Sequence, residues 1–73
     1  MARGAIHTRD RQGYWINEVE DYGLVAGRFS SRAHAVAIGR EHARHRETEH
    51  VIHEEDGTIS ERHSYARGVA RPA

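Results

Sequence analysis

Polar and apolar residues alternate most regularly between Glu49 and Tyr65, in the stretch EHVIHEEDGTISERHSY. Glu49 to Glu54 carries the β-branched pair Val51 and Ile52. Asp56-Gly57 follows, a strong hairpin signal, because a tight turn needs positive φ and Gly57 takes it without steric penalty. From Thr58 the alternation resumes, placing Ile59, Glu61, His63 and Tyr65 on one face and Thr58, Ser60, Arg62 and Ser64 on the other. A C-terminal β-hairpin is therefore expected. Upstream, Ala5 to Arg9 reads as a first strand and Asp10 to Gly13 as a turn. Tyr14 to Asp21 is a second strand, with Trp15, Asn17 and Val19 on one face and Ile16, Glu18 and Glu20 on the other. After a turn at Asp21-Tyr22-Gly23, Leu24 to Phe29 is a third strand, with Gly27 marking a bulge or a close backbone approach.

The period then changes from 2 to 3.6. Ser30 or Ser31 supplies a helix N-cap, its hydroxyl accepting an orphan N–H of the first turn. The helix runs to Arg46 or Glu47. Ala35, Ile38, Gly39, His42 and Ala43 share one face, with Val36 at its edge, and Ala33, Ala37, Arg40, Glu41 and Arg44 point outward. Gly39 costs about 1 kcal/mol of helix propensity relative to Ala, so close packing of helix on sheet is the reason to expect for it. The pattern predicts an α+β domain of order β-β-β-α-β-β, an antiparallel or mixed sheet with one helix on one face. The domain occupies residues 6–65, between a flexible N-terminus over 1–5 and a flexible tail over 66–73. Trp15, Ile38, Gly39, Val51, Ile52, Gly57, Ile59 and Tyr65 are the expected structural and core positions.

Several of these residues also carry a resemblance. Glu49-His50-Val51-Ile52-His53, Asp56-Gly57-Thr58-Ile59 and Ser64-Tyr65 resemble the C-terminal signature of the family called domain of unknown function 2188, small proteins of bacteria and phages. Trp15-Ile16-Asn17-Glu18-Val19-Glu20, the helix opening after Phe29, and Ala35-x-x-x-Gly39-Arg40-x-x-Ala43 extend it over residues 6–65. Where the family usually continues Asn-Ser-Tyr-Gly, this chain reads His63-Ser64-Tyr65-Ala66. The resemblance implies no biochemical activity.

Composition narrows the classes of function. Ten of the 27 apolar residues are Ala, so a chain of 73 residues has little with which to build a core. Small domains of this kind usually draw on a disulfide, a metal or a second subunit. The chain has no Cys, which removes disulfides and thiolate metal sites and favours self-association. One helix cannot cover both faces of the sheet, and Val51 and Ile52 point to opposite faces. Apolar surface is thus expected on the uncovered face or an edge, where a partner would cover it. No apolar run approaches the roughly 18 residues of a membrane span, and the N-terminus has no hydrophobic signal core. No membrane association and a cytoplasmic location are the expectation.

The formal net charge is zero, which argues against a generic polyanion binder. Residues 1–46 nevertheless hold eight Arg against five acids, and residues 47–73 three Arg against six acids. All eleven basic residues are Arg, a side chain suited to bidentate phosphate and carboxylate contacts. Arg32, Arg40 and Arg44 on the helix, with Arg9 and Arg11 at strand ends, are the candidate nucleic-acid contacts. Seven His residues invite a metal reading. However, His42 and His45 fall on different sides of the helix face, and the odd spacing of His50 and His53 sends their rings to opposite faces of a strand. No metal ligands and no cofactor are assigned. His53, Glu54 and Asp56 cluster near the hairpin tip without a nucleophile elbow or oxyanion device, so no catalytic residue is assigned either. The expectation is a small non-enzymatic binding or accessory protein of a bacterium or phage. It would act through a homo-oligomer or a host or bacterial protein partner, with weak nucleic-acid binding through the helix arginines as the alternative.

Overall fold

The computed structural model describes residues 4–20, 22–24 and 27–66. Its elements are β1 (Ile6–Arg11), β2 (Tyr14–Val19), β3 (Gly23–Leu24), α1 (Arg32–Arg46), β4 (Glu49–His53) and β5 (Ile59–Ser64), the β-β-β-α-β-β order that the sequence predicts. The five strands form one sheet in the spatial order β3-β2-β1-β4-β5. β1 pairs antiparallel with β2, from Ile6↔Val19 to Arg11↔Tyr14, and parallel with β4, from Ile6↔His50 to Thr8↔Ile52. The sheet is therefore mixed. Its one parallel pair lies at the centre, because α1 carries the chain back across the sheet before β4 begins.

The turns follow from local chemistry. Gln12 and Gly13 both have positive φ (52° and 87°), the requirement of a two-residue type I′ hairpin. β1 thus runs two residues further than the alternation alone indicates. In the second hairpin Gly57 has φ 94°, and Asp56 Oδ1 accepts bonds from the Thr58 N–H (3.0 Å) and hydroxyl (2.7 Å). These bonds hold the Asp56 carboxyl below its usual pKa. Ser31 is the N-cap of α1, its Oγ accepting the His34 N–H at 3.2 Å.

The third strand is shorter than expected. After Gly23–Leu24 it touches the sheet again at Phe29, which exchanges two backbone bonds with Trp15 (2.7 and 2.8 Å); Val25 and Ala26 lie outside the described residues. At the N-terminus the ordered fold begins earlier than the pattern suggests. The Gly4 carbonyl accepts the Thr48 hydroxyl, and the Ala5 carbonyl accepts the Glu20 N–H. The expected tail from Arg67 onward and residues 1–3 lie outside the described residues.

α1 packs on β1, β2 and β4 through Ala35, Gly39 and Ala43. Ile38 and His42, expected on this face, are only half-buried at its flank. Trp15, Ile52 and Val51 are buried as expected, and Tyr65 packs on the cluster of Ile6, Val19 and Ala43. Ile59 is not a core residue, since half of its surface is exposed. The cause is a bulge. Ile52 pairs with Glu61 but His53 with Ile59, so Ser60 is an extra residue in β5. The alternation slips there, and Ile59 lies on the face of His53, away from Glu61, His63 and Tyr65.

Gly39 sets how closely the helix approaches the sheet. A Cβ at this position would stand 2.5 Å from Asn17 Oδ1, 2.7 Å from Thr8 Oγ1 and 2.8 Å from His50 Nε2. On an ordinary helix Gly→Ala adds about 1 kcal/mol of propensity. Here overpacking, typically about 1–3 kcal/mol, and disruption of buried hydrogen bonds outweigh it. Gly39→Ala is therefore expected to lower stability by about 1–3 kcal/mol, read as a lower urea midpoint. An unchanged or higher midpoint would show that the helix lifts from the sheet at no cost.

Candidate functional site

Three surfaces are candidates: the helix–sheet interface, the sheet face that α1 leaves open, and the β5 edge. The interface is polar at its centre. Thr8, Asn17 and His50 sit side by side on β1, β2 and β4, all facing α1. Thr8 Oγ1 donates to Asn17 Oδ1 (2.5 Å) and lies 2.7 Å from His50 Nε2; Asn17 Nδ2 donates to the Ala35 carbonyl of the helix (3.0 Å). The Thr8 hydroxyl has a single proton, given to Asn17, so His50 must donate through a protonated Nε2. His50 is 1 % exposed. Burial above all, and then the charges of His63 and Arg40, push its pKa from 6.5 down to about 4. The imidazole is thus neutral near pH 7. Among the described residues no buried side-chain nitrogen or oxygen lacks a hydrogen-bond partner. This centre is closed and satisfied, which suits a structural lock and not a site of exchange with solvent.

On the open face, a chain of groups runs from Glu20 through His7 and His53 to the hairpin. Glu20 Oε2 is 3.0 Å from His7 Nε2, His7 Nδ1 is 2.9 Å from His53 Nε2, and His53 Nδ1 is 3.0 Å from the Gly57 carbonyl. The carbonyl can only accept, so His53 Nδ1 bears a proton. Each of the other two contacts needs one as well. Beside this chain Glu18 pairs with both Arg9 (3.5 Å) and Arg11 (2.9 Å), and Arg62 pairs with Glu49 (3.2 Å). These side chains cover Ile16 and Val51, each 1 % exposed. Over Ile16 and Val51 no apolar surface is left, whereas Tyr14 on β2 and Ile59 on the edge strand β5 are about half exposed, the apolar surface expected on the open face or an edge.

The five candidate nucleic-acid arginines do not share a surface. Arg9 and Arg11 lie on the open face, engaged by Glu18. Arg32, Arg40 and Arg44 are on α1, across the sheet. Of these, Arg32 lies over the Trp15 ring at 5.5 Å and Arg44 is 3.9 Å from Glu41. The hairpin-tip residues are turned to structural partners, His53 to His7 and Gly57, and Asp56 to Thr58. As expected from their odd spacing, His50 and His53 face opposite sides. His42 and His45 line an open depression of about 500 Å³ on the helix flank with Ile38, Glu41 and Arg46. Among the described residues no group of three His, Cys, Asp or Glu side chains is placed to hold a metal ion.

The remaining surface is β5. It is one edge of the sheet, the two-residue β3 being the other, and α1 packs on β1, β2 and β4 and not on β5. Ile59, Glu61, Arg62, His63 and Ser64 are all exposed, leaving only Ser60 half-buried. Glu61 and His63 form a 2.8 Å pair on the helix side of the strand, which holds the Glu61 carboxyl below its usual pKa. Sequence reasoning missed the joining of Thr8 and Asn17 to His50 and the His7–His53 contact, because both depend on the parallel β1–β4 pairing. Gly39 in mid-helix was the one local signal of the first.

The family profile described as "Uncharacterized protein conserved in bacteria (DUF2188)" matches residues 6–65. The chain belongs to this family. No curated protein and no solved structure matches the chain. The match spans the fold from the first residue of β1 to Tyr65, so DUF2188 here denotes the whole described sheet and its helix. No helix of the described residues is long and apolar enough to cross a membrane.

The lock at His50 makes stability depend on pH. Between pH 6.5 and about 4 the unfolded chain binds a proton on His50 that the folded chain refuses, so acidification favours unfolding. The contribution is complete above pH 6.5 and lost by about pH 4. At about 1.4 kcal/mol per unit it is on the order of 3 kcal/mol. Urea titrations across this window are expected to show a steeper loss of stability for the wild type than for His50→Gln, whose amide can donate to Thr8 but does not titrate. Parallel curves would show that His50 is not the group responsible.

Proposed function

We propose that this DUF2188 chain is a small non-enzymatic association module, working through contact with another polypeptide or with itself. The observation that carries the reading is β5: an edge strand exposed on both faces and outside the cover of the helix. Such an edge presents unpaired N–H and C=O groups, which a second strand can satisfy by extending the sheet. The other surfaces offer less. The interface centre is closed, and the open face is already paired within itself.

The nucleic-acid alternative has weaker support, because its arginines are divided between two sides of the sheet. Fluorescence anisotropy with labelled duplex DNA, single-stranded DNA and RNA separates the two readings. No binding to any of the three is expected at near-physiological salt. Binding that weakens with salt, and weakens further in Arg40→Ala/Arg44→Ala, would replace the association reading with phosphate recognition by α1.

A further inference from the structure

We infer that the β5 edge pairs with the β5 edge of a second copy, antiparallel, about a two-fold axis through Arg62 and perpendicular to the sheet. The inference rests on the association reading and names its partner. It follows from the phase of the β4–β5 ladder. The Tyr65 N–H donates to the Thr48 carbonyl, and Ser64, His63, Arg62 and Glu61 then face Glu49, His50, Val51 and Ile52 in turn. Backbone groups alternate in direction along an antiparallel pair. The backbone groups of Tyr65, His63 and Glu61 therefore point inward to β4, and those of Ser64 and Arg62 point outward from the sheet; the alternation ends at the Ser60 bulge.

Two identical strands related by this axis must oppose residues of the same parity, since facing side chains share a face. Three centres are then close to the middle of β5. An axis through Glu61 sets Glu61 against its own copy, carboxylate against carboxylate. An axis through His63 sets His63 against its own copy and Glu61 against Tyr65, which leaves Glu61 without a complementary group across the interface. An axis through Arg62 sets the outward backbone groups of Arg62 against those of the second Arg62, and Ser64 against the bulged Ser60. It also places Glu61 directly opposite His63 of the second copy, twice.

Each Glu61 carboxylate then has an imidazole beside it along its own strand, at 2.8 Å, and another across the interface. The four side chains form a checkerboard in which nearest neighbours differ in charge type and like groups sit diagonally. On the opposite face the two Arg62 side chains meet at the axis. Each is drawn back across its own sheet by Glu49, at 3.2 Å, so the guanidinium groups are not forced together. The bulge at Ser60 disturbs both ends of the ladder, so the contact is short and the dimer a weak one.

The test exploits the same phase. Arg62 faces Val51 in a pair that exchanges no backbone bonds, so Arg62→Pro removes an outward N–H without costing β5 a bond to β4. Light scattering and sedimentation over a concentration series should show a monomer–dimer equilibrium for the wild type. Arg62→Pro should raise the dimer Kd by about tenfold or more while leaving the fold's circular dichroism intact. Glu61→Arg should also weaken the dimer, and the exchange Glu61→His/His63→Glu, which preserves the checkerboard, should restore it. A wild-type chain that stays monomeric at high micromolar concentration overturns self-pairing through β5. A dimer indifferent to both Arg62→Pro and Glu61→Arg overturns the β5 site, yet leaves the broader association reading standing. If Arg62→Pro unfolds, the Glu61→Arg and exchanged variants decide alone, since they alter only exposed side chains.

Discussion

The hydrogen bonds that join Thr8, Asn17 and His50 beneath Gly39 tie the fold together. Three strands meet in this group: β1 and β2, paired as a hairpin, and β4, which arrives through the helix. Asn17 extends the group into α1 through the Ala35 carbonyl. A polar centre in so small a core is tolerable only because every member finds a partner. An apolar triad would also fill the space, but it would not register one strand against another. Here the bonds fit the register in which Thr8 faces Asn17 and His50, opposite Ile6, reaches Thr8 diagonally.

The polar centre also explains how a chain rich in Ala can hold together. The large apolar side chains are divided between two faces: Ile6, Trp15, Val19 and Ile52 under the helix, Ile16 and Val51 on the other side. Neither group is large. On the open face Ile16 and Val51 lie buried beneath a layer of paired polar side chains, His7 with Glu20, Arg9 with Glu18 and Arg62 with Glu49. Exposed ion pairs of this kind add little stability individually. Their value here is the cover they give, and the consequence is a face that is dry beneath and wet above.

Element type and order were legible in the sequence because they depend on near neighbours. The period of 2 around Val51, the period of 3.6 through Ala35, Gly39 and Ala43, Ser31 as cap and Gly57 as turn all act over a few residues. Three features were not legible. The bulge at Ser60 has no sequence mark, since Ser60 continues the alternation that the bulge breaks, and it moved Ile59 out of the core. The covering of the open face depends on long side chains crossing from one strand to the next. The His7–His53 contact joins residues far apart in sequence, which only the parallel pairing of β1 with β4 makes neighbours. The candidate arginines show the same limit: their charge could be counted, but not which side of the sheet each one occupies.

That central parallel pair also bears on how the chain reaches its structure. Residues 6–8 must find residues 50–52, so the middle of the sheet closes only when most of the chain is available. The two hairpins and the helix are local and can form early; the step that joins them closes a loop of some forty residues and carries the entropic cost of doing so. A ribosome releasing this chain from its N-terminus would present β1, β2 and α1 with Thr8 and Asn17 still lacking His50. Folding is therefore completed by the last hairpin to emerge, and the basic first half stays unfinished until the acidic second half docks beside it.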